Sequence, residues 1–334
     1  NRLTACGTYS VCLLEAGPPD WNPMIHIPAG FIKTLVNPSV NWMYQSEASE
    51  GTNGRTIPMP RGKVLGGSSS INGLIFNRGQ KMDFDVWAQK GNRGWSYDDV
   101  LPYFRKLETF SGAPSQYHGH HGDVQVSQLR NYHPHCAAWI ASARHLGLPE
   151  NDDFNGASTY GVGAYHLSIG KRWRSSAATA FLKPALSRPN LTVLTETMVE
   201  KIIITDGVAT AVRVKNALGS ADINAAAEVI LCAGAIQSPQ ILQLSGIGPA
   251  KLLSKLDIPV LVDRAEVGGN LQDHYQMRTI VQMNDPVSLN NQVRNPLSLL
   301  KMGFDWLVKG SGPLTVGAGQ VGGAARTEHA PNAA

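Results

Sequence analysis

Two short apolar runs that end in glycine turns constrain this chain most. YSVCLLE, Tyr9 to Glu15, runs straight into AGPPD, and EVILCA, from Glu228, runs into Gly234. An unbroken apolar run of this length, bounded by Gly and Pro, fits a strand buried on both faces, as in a parallel sheet covered by helices. The stretch between them alternates in places and loops in others. This predicts an α/β fold: a parallel cofactor sheet interrupted by long excursions that build a second domain.

The bulk numbers agree with a globular chain. Of 334 residues, 43% are apolar and 16% charged, and the formal net charge is +4. So mild and scattered a charge points neither to nucleic acid nor to an anionic membrane surface. None of the four cysteines forms a CxxC pair. Cys12 and Cys232 lie inside the apolar runs and read as small core residues, which makes a reducing, cytoplasmic setting the expectation. No run of about 18 apolar residues exists, so no transmembrane helix is expected.

Along the chain, Asp83 to Leu107 reads as two helical pieces broken at Gly91–Gly94, with Ser96 as N-cap of the second. Pro134 to Leu146 and Ser175 to Leu186 read as helices. Asn190 to Thr205 alternates like a strand, Asp206-Gly207 is a hairpin signal, and Thr210 to Lys215 and Ala227 to Cys232 are further strand candidates. Ser238 and Pro239 look like the N-cap and first residue of a helix reaching Leu244. Pro249 to Leu256 and Ile258 to Val262 give a further helix and strand.

Three stretches carry chemistry. Glu15 ends the first apolar run. In a dinucleotide-binding βαβ unit an acid at the end of the second strand holds the ribose hydroxyls, about 20 residues after a glycine turn. Only 14 residues precede Glu15, so that turn would lie before Asn1; the plainer alternative is an acid ending a strand at the surface. The GxGxxG at Gly317 to Gly322 is a decoy. It follows KGSGPLTV, which leaves little room for a strand, and only twelve residues come after it. RGKVLGGSSSINGLIF, Arg61 to Phe76, packs two glycines and three serines between apolar segments. It suits either a surface linker or a backbone cradle for a phosphorylated cofactor, since glycine lets a ligand approach the main chain. GAIQSPQILQLSGIG, Gly234 to Gly248, places a glycine turn and a helix directly after an apolar run.

Together these stretches resemble the glucose-methanol-choline (GMC) oxidoreductases. RGKVLGGSSSING, with Phe76, Gly79 and Asp85 downstream, is similar to the first signature of that family, and GAIQSPQILQLSGIG to the second. LLEAGP at 13–18, GVG at 161–163, RWRSSAATAFLKPAL at 172–186, NLTV from Asn190 and VGGNLQDH at 267–274 follow in the family's order. The likeness runs from Asn1 to about Pro313 and leans toward bacterial FAD-dependent alcohol and choline dehydrogenases. It implies a Rossmann-like FAD-binding parallel sheet with an interleaved α+β substrate domain, truncated at both ends. The FAD-binding domain would comprise residues 1–85 and 190–275, and the substrate domain 86–189 and 276–334. Val64, Gly67 and Ser68 would lie along the FAD, and Asn72, Gly73, Leu74 and Ile75 would hold its isoalloxazine and ribityl region. Glu15 would take the adenosine ribose, Val199 would meet the adenine through its backbone, and Gly234 would lie in the strand-to-helix turn. Some members bond the flavin covalently through a histidine where this chain has Ile71, so the FAD is expected to be non-covalent. The implied reaction is oxidation of a primary alcohol or choline to the aldehyde, with oxygen or a quinone as electron acceptor. The family's catalytic histidine lies in a C-terminal portion that this chain does not match, so no catalytic residue is assigned and His274 does not inherit the role. A non-catalytic remnant and a nicotinamide-dependent dehydrogenase stand as alternatives. Peripheral attachment to a membrane is left open.

Other candidates fare less well on their residues alone. The histidines of YHGHHG, His118 to His121, with His133 and His135, read as a loop, because no cysteine or carboxylate cluster joins them in sequence. Asp152 and Asp153 lack the spacing of a calcium loop. KRWRSS, Lys171 to Ser176, reads as a helix entry over the substrate cavity. No metal site is expected.

Overall fold

The computed structural model describes residues 1–129, 132–274, 276–282, 284 and 288–326. By compactness the chain divides into two units. One holds Asn1–Tyr9, Pro19–Asn190 and Asp285–Ala334; the other holds Ser10–Pro18 and Leu191–Asn284. Residues 19–85, which the sequence reading groups with 190–275, thus belong to the same compact unit as 86–189.

The architecture is α/β. In the smaller unit Val11–Leu14 pairs in parallel with Leu191–Leu194. Glu15 sits just beyond the pair: its N–H donates to Leu194 O at 2.9 Å, and its carbonyl accepts from Thr197 at 2.9 Å. Met198–Thr205, Val208–Asn216 and Gly219–Asn224 form an antiparallel three-stranded sheet. The hairpin turn falls on Asp206 and Gly207, both left-handed, as the Asp-Gly signal requires. The helix Gly234–Leu244 is tied to this sheet through Ser245, whose hydroxyl accepts from Ile202 N at 2.8 Å.

Three expectations fail here, two of them for one reason. Residues 227–232 form no strand, and Cys12 and Cys232 are exposed rather than core residues. A buried strand needs a partner on each edge and cover on each face. Among the described residues the parallel sheet has two strands only, so its flanks stay open. The third concerns the helix start. The helix begins at Gly234, with φ +85°, and not at Ser238, so Pro239 lies one turn inside it. There it is past the first-turn amides, so the helix forgoes the bond that an N–H at 239 would make to Ala235 O.

In the larger unit the two helices fall at Lys81–Gln89 and Tyr97–Leu107. The Ser96 hydroxyl accepts from Asp99 N at 3.3 Å, and the Asp99 carboxylate accepts from Ser96 N at 3.1 Å, a closed capping box. Ser96→Ala should lower unfolding free energy by about 1 kcal/mol, read as a fall in the urea midpoint without a change in slope. Pro134–His145 is helical as expected, and 175–186 is helical too, over Ala178–Leu182 with π geometry and Lys183–Ala185 with 3-10 geometry. The core comes in separate clusters. Ile25, Val40, Val64 and Ile71 pack in one, Leu74, Leu167 and Ile169 in another, and Phe110, Val124, Val126 and Ala180 in a third. The GxGxxG at 317–322 opens no helix; Val321–Ala324 pairs as an antiparallel strand with Gly161–Ala164. Its first glycine serves packing, since a Cβ on Gly317 would lie 2.5 Å from Gly73 O. Among the described residues no helix is long and apolar enough to cross a membrane.

Candidate functional site

The segment Arg61–Phe76 folds as a turn latched from behind and open in front. Gly66 and Gly67 take left-handed φ values of +87° and +56°, which glycine adopts without strain. Residues Gly67–Ser70 make a single 3-10 turn, too short to carry a helix dipole. Each serine hydroxyl bonds within the loop, and Ser69 Oγ also accepts from Ala177 N at 2.8 Å. Ser70 donates to Leu65 O at 2.7 Å and Ser69 to Gly66 O at 2.6 Å, while Ser68 accepts from Gly62 N at 3.0 Å. Gly62 must be glycine, because a Cβ there would run into the main chain of Gly67 and Ser68.

Side chains divide by face. Val64, Ser70, Ile71 and Leu74 are buried, so Val64 and Leu74 can offer a ligand only their main chain. Ser68, Asn72 and Ile75 are exposed, and a Cβ on Gly67 would project into open space. The front of the turn is therefore main chain, one hydroxyl, one amide and one apolar side chain, the lining expected where a ligand meets backbone closely. Leu74 has φ +68°, costly for a branched residue and a mark of a position held for a purpose. It is over-determined: Asn72 Oδ1 accepts its N–H at 3.1 Å, and its carbonyl accepts from Ser168 N at 2.9 Å.

Arg174 underpins this turn, and the sequence reading missed it. The side chain is 2% exposed. Nε donates to Ile25 O at 2.7 Å, and Nη1 donates to Asn72 Oδ1 at 2.7 Å and to Ser69 O at 3.1 Å. KRWRSS thus delivers one arginine under the cofactor-type loop. The signal lay in the family-like segment 172–186, but its depth did not.

The remaining predicted positions belong to the smaller unit. Glu15 ends the parallel pair, and its carboxylate accepts from Gly17 N at 2.8 Å. The end of a parallel strand is where such sheets bind ligands. Val199 pairs with Val214 beside a β-bulge, two residues beyond Thr197, whose N–H reaches Glu15 O. Gly234 is exposed at the start of its helix.

Next to the loop's continuation, residues 76–78, lies a buried charged cluster. Arg78 Nη2 meets Glu108 Oε1 at 2.7 Å, with side chains 3% and 0% exposed. His118 bridges two carboxylates, Nδ1 to Glu108 Oε1 at 2.8 Å and Nε2 to Asp153 Oδ2 at 3.0 Å, and stacks on Phe110. Burial opposes its protonation, but the bonds to Asp153 and Glu108 outweigh that and raise its pKa to about 9. Burial would raise the carboxyls of Glu108 and Asp153, yet His118 and, for Glu108, Arg78 hold both below the usual range. His166 is pushed down by burial first and stays neutral. The expectation that no carboxylate joins the histidines is therefore corrected: Glu108 and Asp153 are distant in sequence but close in space. His118, Asp153 and His166 bring three ligand-type atoms within 4.8 Å of one another. Two cations, Arg78 and His118, already balance two carboxylates, so the cluster closes its charge without an ion. Its backbone reach explains its place. Phe76 N donates to His166 O at 2.9 Å, and Asn155 bonds both Phe76 O and Arg78 N at 2.8 Å.

The family model for GMC oxidoreductases matches residues 7–276. The chain belongs to the GMC oxidoreductase family. Among GMC relatives, oxygen-dependent choline dehydrogenase of Brucella suis is 39% identical over 309 residues, covering 92% of this chain and 56% of the relative. Human mitochondrial choline dehydrogenase is 40% identical over 340 residues, covering 98% and 56%. The chain thus spans about half the length of the curated relatives it matches. Solved structures agree on the fold. An FAD-dependent oxidoreductase from Chaetomium thermophilum superposes with TM-score 0.82 at 31% identity, covering 92% of this chain and 55% of that one. A formate oxidase gives TM-score 0.85 at 26% identity, covering 96% and 57%.

Proposed function

We propose that this chain binds FAD non-covalently and is part of an enzyme that oxidises a primary alcohol, or choline, to the aldehyde, passing electrons on to oxygen or a quinone. The observation that carries this reading is the turn Gly66–Asn72, buried behind and bare in front, in a GMC chain. When bound, the flavin supplies the two-electron acceptor for the alcohol. The chain's own residues hold and shield it. Gly67 gives close approach to the main chain, and Ser68 and Asn72 offer hydrogen-bonding groups. Ile75 adds apolar cover, and the carboxylate of Glu15 suits ribose hydroxyls. Ile71, where some members carry the flavin-bonding histidine, is an apolar side chain 1% exposed and can form no such bond. The GxGxxG at 317–322, a decoy on sequence, leads into a strand pairing and not a helix, so it lends a nicotinamide reading nothing. The sequence reading's open option of peripheral attachment to a membrane remains a proposal for the whole protein.

The test is a visible absorption spectrum of the purified chain before and after denaturation. We expect a flavin spectrum, released in full on unfolding, at up to one flavin per chain. Flavin that stays with the unfolded chain would refute the non-covalent reading. A chain that takes up no flavin from excess FAD would refute cofactor binding by this segment.

A further inference from the structure

Arg78 and Arg174 are both deeply buried, but among the described residues only one has a counter-ion. Arg78 faces Glu108. Arg174 donates to three neutral acceptors, Ile25 O, Ser69 O and Asn72 Oδ1, and its Nη2 is buried without a partner. Among the described residues no carboxylate pairs with it, and burial is the sole influence on its pKa, lowered to about 10. It is therefore still a cation at neutral pH. A buried charge facing only neutral dipoles is costly, and arginine is chosen where anions are to be met. Two of its three acceptors, Ser69 and Asn72, belong to the turn that presents main chain to solvent.

We infer that Arg174 is a positioning residue whose charge is balanced by the negative charge of a flavin cofactor bound at the Gly66–Asn72 turn. This rests on the cofactor reading above. The shared chemistry is anionic, and it has two sources: the pyrophosphate of FAD, or the reduced isoalloxazine ring. Arg174 does both jobs through one fixture. It orients Asn72 and Ser69, and it lends the turn a positive field that water cannot screen.

The experiment compares wild type with Arg174→Gln, Arg174→Lys and Asn72→Asp. It measures FAD and riboflavin affinity, the midpoint potential of the bound flavin, and the melting temperature of the apo form. Arg174→Gln should weaken FAD binding or lower the potential, with a loss of about tenfold in affinity for the bound state concerned, and Arg174→Lys should recover part of it. A loss for FAD but not riboflavin assigns the pyrophosphate; unchanged affinities with a lower potential assign the reduced ring. Asn72→Asp gives Arg174 a counter-ion of its own, so its apo form should melt higher while FAD affinity falls. This arm holds even if Arg174→Gln fails to fold. Affinities and potential that match wild type in every folded variant, with only melting temperature altered, overturn the inference. Wild type that takes up no flavin defeats the cofactor reading itself, a different result from an unaffected variant.

Discussion

Replacing Glu108 by glutamine should cost about 3–5 kcal/mol of unfolding free energy, the range seen when one partner of a buried ion pair is removed. Glu108 is fully buried, and a single oxygen, Oε1, accepts from Arg78, His118 and Gly119. Glutamine keeps the shape but removes the charge that holds two cations together. Arg78 would then face no carboxylate, and Asp153 alone would face His118. The effect should spread to the signature loop, since Arg78 and Asn155 fix residues 76–78 behind Leu74 and Ile75. Chemical denaturation measures the loss. A fall below about 1 kcal/mol, the level of an exposed pair, would mean that the cluster is relaxed and hydrated and does not anchor the loop.

How much of this was legible beforehand depends on sequence distance. The N-cap at Ser96 and the Asp206-Gly207 hairpin are local, written by residues three or fewer apart, and both formed as read. The Gly66–Asn72 turn was legible only as a choice between linker and cradle; its glycine φ values and buried Ile71 show an ordered turn, and the cradle is the reading proposed above. The cluster was not legible. Glu108 follows directly on the helical reading that ends at Leu107 and begins the strand Glu108–Phe110, His118 is one of a loop's histidines, and Asp153 is an acid in a failed calcium motif. Nothing in their spacing shows that the chain brings both acids to within 3.0 Å of the His118 ring nitrogens. The strand expected at 227–232 erred in the opposite way. An apolar run states that a segment wants burial, but burial is granted by partners, and among the described residues none pairs with it.

The same cluster predicts how the fold responds to alkali. His118 titrates near 9 in the folded chain and near 6.5 when unfolded. A raised folded pKa means that the folded state holds the proton longer. Its stabilising contribution is therefore complete below pH 6.5, declines as pH rises from there, and is gone above about 9. With one proton at issue, the slope is about 1 kcal/mol per pH unit across that window. The groups facing His118 act on the other flank. Glu108 and Asp153 have lowered pKa values, and His166 is held neutral, so their contributions are present near neutrality and lost as the solution turns acid. Stability should thus peak near or slightly below neutral pH and fall on both sides. Urea unfolding of wild type and His118→Gln from pH 6 to 10 separates this group from other alkaline titrations. The variant should be less stable at pH 6.5 and should lose the decline between 6.5 and 9. A wild-type profile that is flat there, or a variant that keeps the slope, would show that His118 is neutral in the folded chain. The two carboxylates would then face Arg78 as the cluster's only cation, and the argument that its charge closes without an ion would fall with it.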